Sequence, residues 1–337
     1  MARTLILGVL VASMGCWQFA CRAGTASQAA PAVQSLGTPE RSERGLLVLI
    51  PGPTDELSFS QALYTSAMAL QAEGHDVAVV AEAATMARES LLELIERHHR
   101  QGRDIAVAAG GEFAQLITEL AARHPERSYA TLVGHADGAR VISYCLDCIP
   151  KGGFMAGLIA ARLTRNQVVG FVGGVEAVDG PEGKTFEQGV GALAPTARVL
   201  VEWTQSWFDD EQAVALARSM LERRADVLVA DASAAVAVAL RGAAQTHVIG
   251  WMSDISSLDR ERVAASITID TRHILRDVLA RVAEGRYPGS PIIVDDSYRL
   301  WHLAGTNPAI PEATWSEIRA LIESTRCTEA GCELAAP

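Results

Sequence analysis

The sequence predicts an α/β protein of two doubly wound, Rossmann-like lobes with a ligand cleft between them. Three observations carry this reading. Short apolar runs alternate with helix-periodic segments from residue 45 to about 300, and the alternation restarts after Pro150. A chain of 337 residues is also too long for one ordinary domain, and 49% hydrophobic residues with only 5% aromatics suit two lobes rich in Ala, Val and Leu.

The first lobe reads in order from Gly45. GLLVLIPG is a strand, SFSQALYTSAMALQAEG a helix, HDVAVVAEA a strand, ARESLLELIERHHRQG a helix, DIAVAAGG a strand, EFAQLITELAARHPE a helix and SYATLVGH a strand. Gly74, Gly102 and the pair His124-Pro125 mark helix ends. ARVISYCL adds a further strand.

The second lobe is organised around Lys151 to Glu176, KGGFMAGLIAARLTRNQVVGFVGGVE. Phe154, Leu158, Ile159 and Ala161 recur at helical spacing, and Gly152, Gly153, Ala156, Gly157 and Ala160 let that helix sit close against a sheet. VVGFVGG then reads as a strand buried on both faces, and a helix feeding such a strand is the βαβ unit of a parallel sheet. Gly173 and Gly174 fit either a tight turn with close backbone packing or a ligand approach beyond the strand end. TFEQGVGAL, VLVEWTQ, DEQAVALARSMLERR, DVLVADAS, AVAVALRGAA and THVIGWM continue the alternation. The polar stretch Ser253 to Arg262 precedes VAASITID, the helix HILRDVLARVAEG and the terminal strands of SPIIVDDSYRLWHLAG. The boundaries read as 45–150 plus about 253–285 for the N-terminal lobe and 151–252 plus about 286–337 for the C-terminal lobe. Two similar lobes with several crossings make a type I periplasmic binding-protein fold, with ligand in the cleft at the strand ends.

The chain starts with a targeting pattern. Arg3 precedes the apolar run LILGVLVA, which is too short to span a bilayer, and small residues follow, so residues 1–21 read as a signal peptide. Ser13-Met14-Gly15-Cys16 is an imperfect lipobox that makes Cys16 the lipidation candidate, with Cys21 second; without lipidation the protein is secreted. Residues 22–44 read as a flexible tether. Localisation at the cell envelope, anchored or periplasmic, follows. In an oxidising compartment Cys145 with Cys148 and Cys327 with Cys332 are expected to form local disulfides. A redox motif at Cys145 and Cys148 fits less well, because Asp147 and Pro150 place it in a crossing loop.

Several function classes are disfavoured. A formal charge of −11 argues against nucleic acid and against an anionic membrane surface. No phosphate loop, dinucleotide fingerprint or H-E-x-x-H stands in the chain, and no metal or cofactor is expected. The nearest hydrolase elbow, Gly134-His135-Ala136-Asp137-Gly138, has Ala where a nucleophilic Ser would stand, so an enzyme is not expected.

The helix GGFMAGLIAARLT, the strand VVGFVGG, the Phe186-x-x-Gly189 helix and the downstream order VLVEWTQSWFDDEQAVALARSMLERRADVLVADAS resemble the basic membrane protein family, the purine-nucleoside-binding lipoproteins of bacterial ABC importers. The resemblance covers most of residues 45–300. It implies a small-molecule ligand, a membrane permease as partner and a lipid anchor. It also implies that the loop after the first strand, Asp55 to Gln61, meets the ligand, with Ser60 where the family has Asn. Phe59 there either stacks on a planar ligand or packs under the sheet edge, and Ser58 is either a helix N-cap or a contact. Trp207 matches the family's stacking aromatic in the loop before its helix.

Other positions depart from the family. Val133 stands for its strand-end Asp, with His135 two residues on; Ser233-Ala234-Ala235 replaces a Gly-rich loop; Met252 stands for an aspartate, with Asp254 two residues later; Ile269 stands for a basic residue. The expectation is an extracytoplasmic solute-binding protein in which Phe59 and Trp207 clamp a planar heterocycle. Asp55, Ser60, Asp254 and His135 are expected to supply polar contacts, and the altered sugar contacts should favour a base over a nucleoside. The alternative is a ligand-sensing or degenerate relative that signals to a membrane partner.

Overall fold

The computed structural model describes residues 44–335 except Ala244. The signal segment, nearly all of the tether and the lipidation candidates Cys16 and Cys21 lie outside the described residues.

Apolar four-residue runs form the inner strands of the first sheet: β1 (Leu46–Leu49), β3 (Ile105–Ala108) and β4 (Ser128–Thr131), all buried on both faces, as a parallel sheet covered on each side requires. β2 (Val77–Val80) and β5 (Val141–Cys145) flank them, and α1 (Phe59–Ala72), α2 (Arg88–Arg100) and α3 (Ala114–Arg123) make the crossovers. In the second lobe α4 (Lys151–Leu163), β6 (Val168–Gly173), α5 (Glu176–Leu193), β7 (Arg198–Trp203), α6 (Asp210–Glu222), β8 (Val227–Ala230), α7 (Ala235–Ala239), β9 (His247–Met252) and β10 (Val263–Ile269) follow. α8 (Arg272–Glu284), β11 (Ile292–Ile293), β12 (Trp301–Ala304), α9 (Glu312–Glu323) and the hairpin β13 (Thr325–Thr328) and β14 (Gly331–Leu334) complete the chain.

The two sheets have the same winding. The first runs β2-β1-β3-β4-β5-β11 and the second β7-β6-β8-β9-β10-β12, with β12 antiparallel to its neighbour. Both reverse their strand order beside the first strand of the lobe, so the loops after β1 and β6 flank the switch points where such sheets take ligands.

The crossings differ from the division read in the sequence, which put residues 253–285 in the first lobe. β10 is an inner strand of the second sheet, with Val263 paired to Val248 of β9. The cause is burial: VAASITI is apolar and nearly all buried, and it needs neighbours on both edges. The polar stretch before it is therefore a return loop, and the chain crosses at Asp270 and Thr271. α8 then packs Ile274, Leu275 and Val278 under the first sheet, β11 pairs with β5, and the chain returns to the second lobe at β12.

Helix α4 meets the sheet with Met155, Ala156, Ile159 and Ala160, but its glycine face meets α5 instead. A Cβ on Gly157 would lie 2.3 Å from the Phe186 carbonyl oxygen, and one on Gly189 would lie 2.3 Å from that of Phe154, so the two backbones approach as closely as glycine allows. Helix α5 starts at Glu176, nine residues before the TFEQGVGAL segment read as helix from the sequence, and contains Pro181. Gly180-Pro181 argues for a turn locally. Packing against α4, with the Thr185 hydroxyl donating to the Pro150 carbonyl at 2.7 Å, holds the segment helical instead.

The structure pairs Cys145 with Cys148 beside the first crossing and Cys327 with Cys332 across the β13–β14 hairpin.

Candidate functional site

The strand ends of the second lobe gather an aromatic ring and three carboxyls. β6 ends in Gly173-Gly174, and the loop after β7 lays Trp207 on Gly174 so closely that a Cβ there would come within 2.2 Å of the indole. The Trp207 ring is 42% exposed, enough to leave surface for a partner. Its Nε1–H donates to Asp179 Oδ2 at 2.7 Å, and the same carboxylate accepts the Val175 N–H at 2.9 Å, which ties the ring to the first turns of α5. Asp231, directly after β8 and buried, accepts the Gly174 N–H at 3.0 Å.

The electrostatics of this group are unusual. Burial pushes the Asp231 carboxyl well above the ordinary range, and the charge of Asp179 beside it adds to the effect. Asp179 is also raised by burial, with the Trp207 and backbone N–H bonds opposing. Each of the two carboxyls therefore favours its protonated form more than an exposed aspartate does. Glu182, one turn along α5, accepts the Gly153 N–H at the start of α4 and is pushed up to about 8, chiefly by burial. Asp179 and Asp231 thus set two carboxyls, which accept hydrogen bonds and donate when protonated, near an aromatic face. That arrangement suits a planar group bearing both N–H and ring-nitrogen functions.

The residues singled out in the sequence separate into different environments. Asp55 is exposed in the loop after β1. Phe59 opens α1 and packs against the first-lobe core, the packing alternative of the two read for it. Ser60 is buried and its hydroxyl accepts the Gly52 N–H at 3.0 Å, so its oxygen is engaged within the loop. Asp254, after β9, accepts the Ser256 N–H at 2.9 Å and lies against Gly305.

His135 stands apart from the strand-end group. β4 and β5 are parallel neighbours joined by residues 132–140 without a helix, so the chain must double back to the start of the sheet. That return carries His135 to a cavity of about 60 Å³ shared with Ser143 and Pro288 to Ser290, all first-lobe residues. It lies 3.3 Å from Asp137 there.

The lobes meet at four places that bear on the site. Met252, at φ 59°, and Trp301 pack into the cores of both lobes. The Ser253 hydroxyl donates to the Ser58 carbonyl at 2.7 Å, and half-buried Leu57 packs against the second-lobe apolar group that includes Ile255. A larger cavity of about 310 Å³ lies at the opposite, amino-terminal ends of β6, β8 and β9, lined by Asn166, Arg224, Asp226 and Thr246 among others.

Sequence reasoning missed Asp179, Glu182, Asp231 and Leu57. Asp231 had a signal, an acid directly after the apolar run VLVA where strand-end ligands bind. Asp179 and Glu182 had none, because VDGPEG reads as a turn.

Two doubly wound lobes joined by three crossings define a type I periplasmic binding protein. The chain belongs to the Bmp family, ABC transporter substrate-binding proteins that are PnrA-like, whose pattern it matches over residues 45–295. It is 20% identical to the transcriptional activator protein Med of Bacillus subtilis, over 82% of this chain and 87% of that one. It is 24% identical to a purine-binding protein of Brucella abortus over 43% of this chain and 42% of that one. Among solved structures, an ABC transporter solute-binding protein of Conexibacter woesei superposes with a TM-score of 0.67 at 20% identity, covering 83% of this chain and 95% of that one. Among the described residues no helix is long and apolar enough to cross a membrane.

Proposed function

We propose that the protein is an extracytoplasmic solute-binding protein of an ABC importer, held at the cell envelope by a lipid on Cys16 and taking a small, planar, nucleobase-like heterocycle between its lobes. The observation that carries the ligand class is the Trp207 ring seated on Gly174 and bonded to Asp179, with buried Asp231 beside it. Stacking on indole accepts any flat ring, and the carboxyl pair selects rings that both donate and accept hydrogen bonds. The Brucella relative, a purine-binding protein, supports the same class. The first-lobe aromatic is not part of this reading, since Phe59 lies half-buried against the first-lobe core.

A ligand that binds the folded state raises its melting temperature by mass action. A thermal-shift screen of adenine, guanine, hypoxanthine and their nucleosides should give its largest rise with a free base. No rise with any of the six would contradict the ligand class.

A second reading is favoured by one contact. Leu57 and Ser58 of the first lobe rest on the second lobe at the strand ends, as a sensor that passes on a closed state would need. One relative spanning most of this chain is a transcriptional activator, and a signalling role toward a membrane partner accommodates both facts.

A further inference from the structure

The loop between β1 and α1 belongs to the first lobe by sequence but rests on the second. Leu57 packs against the apolar group that includes Ala232, Val236, Ile255 and Leu258, at the ends of β8 and β9. The neighbouring Ser58 carbonyl accepts the buried Ser253 hydroxyl at 2.7 Å.

The loop is built to present this residue. Gly52 N–H donates to Ser60 Oγ at 3.0 Å, Leu57 N–H to Gln61 Oε1 at 2.9 Å, and Ser60 N–H to Glu56. Leu57 itself sits at φ 62°, a left-handed backbone that a branched side chain adopts only when its surroundings hold it there. Here the Gln61 bond and the second-lobe packing hold it.

We propose that Leu57 and Ser58 form an internal latch that holds the lobes together and occupies the second-lobe surface a ligand must cover, so that ligand binds by displacing it. The latch rests on the apolar group that includes Ala230 and Ala232, the residues flanking Asp231, and its competition with ligand rests on the reading that ligand binds there. The pull between the lobes does not rest on that reading. A population held latched lowers apparent affinity by the fraction that is unlatched, so a protein with this loop pays in affinity for a defined closed state.

Leu57→Gly tests this cleanly, because glycine keeps the left-handed backbone and removes only the side chain. Ser253→Ala removes the hydrogen bond from the other side. On the full folded protein without added ligand, small-angle scattering should show a larger radius of gyration for each variant than for the wild type. Hydrogen exchange at the amides of Gly52 and Leu57 should speed up in both. Titration with adenine and guanine should then give Leu57→Gly an affinity roughly tenfold tighter than the wild type, the size expected from losing one partly buried leucine contact. Unchanged scattering and exchange in both variants would overturn the latch. Expansion with bases binding no tighter would overturn the competition. Expansion with no base binding to either protein would leave the latch standing and remove the heterocycle reading instead.

Discussion

Burial raises the carboxyls of Asp231 and Glu182 above the ordinary range, and this makes the second lobe sensitive to pH in a definite direction. Glu182 titrates near 4.5 when unfolded and at about 8 in the folded protein. Between those values the unfolded chain gives up a proton that the folded chain keeps, so its contribution is complete below pH 4.5 and is lost as pH rises toward 8. Glu182→Gln should therefore flatten the fall in stability over that range, measured as urea midpoints at a series of pH values; an unchanged profile would contradict the assignment. His99 works in the opposite sense. Burial lowers its pKa from 6.5, so its contribution is present above that value and is lost as pH falls. His99→Gln should blunt the acid-side loss in the same urea series. The apolar strand runs announced where ligand groups would stand, and Asp231 was in view at the end of one. What the sequence did not reveal is that Asp179 comes to meet it, because that depends on the first nine residues of α5, whose Gly180-Pro181 local chemistry reads as a turn.

Helices α4 and α5 are held by contact between backbones, and this gives a sharp contrast among the glycines of the pair. A methyl on Gly157 meets the Phe186 carbonyl at 2.3 Å, whereas Gly191 of α5 has nothing within 4 Å of such a methyl. Gly157→Ala should destabilise by ~1–3 kcal/mol or more through overpacking. Gly191→Ala should stabilise by about 0.5–1 kcal/mol through helix propensity. Thermal unfolding of the two variants checks both, and equal effects would contradict the close approach. The small residues of α4 were legible as a packing face, but the sequence reading set it against a sheet, whereas Gly153 and Gly157 meet α5, since both contacts need the same residues. The β13–β14 hairpin is closed by Cys327–Cys332 over a short loop. Its reduction should cost less than the roughly 3 kcal/mol expected of a 15-residue loop, readable from urea midpoints with and without reductant.

At the scale of the molecule, the two lobes and their winding could be read from where apolar runs begin and end. The crossings could not. Ser253 to Arg262 is polar and reads as a passage between lobes, yet the chain turns back there because β10 needs neighbours on both sides. The same ambiguity hid the route of residues 132–140, which takes His135 to the edge of the first lobe. Both corrections bear on function, since they leave the strand ends of the second lobe, with Trp207, Asp179 and Asp231, as the group around which a ligand would close. Calorimetric titration of the wild type and of Trp207→Ala with free bases and their nucleosides tests this most directly. The account predicts that a base binds more tightly than its nucleoside and that Trp207→Ala weakens it tenfold or more, from lost stacking and burial. Binding indifferent to Trp207, or a nucleoside bound far more tightly than its base, would contradict it.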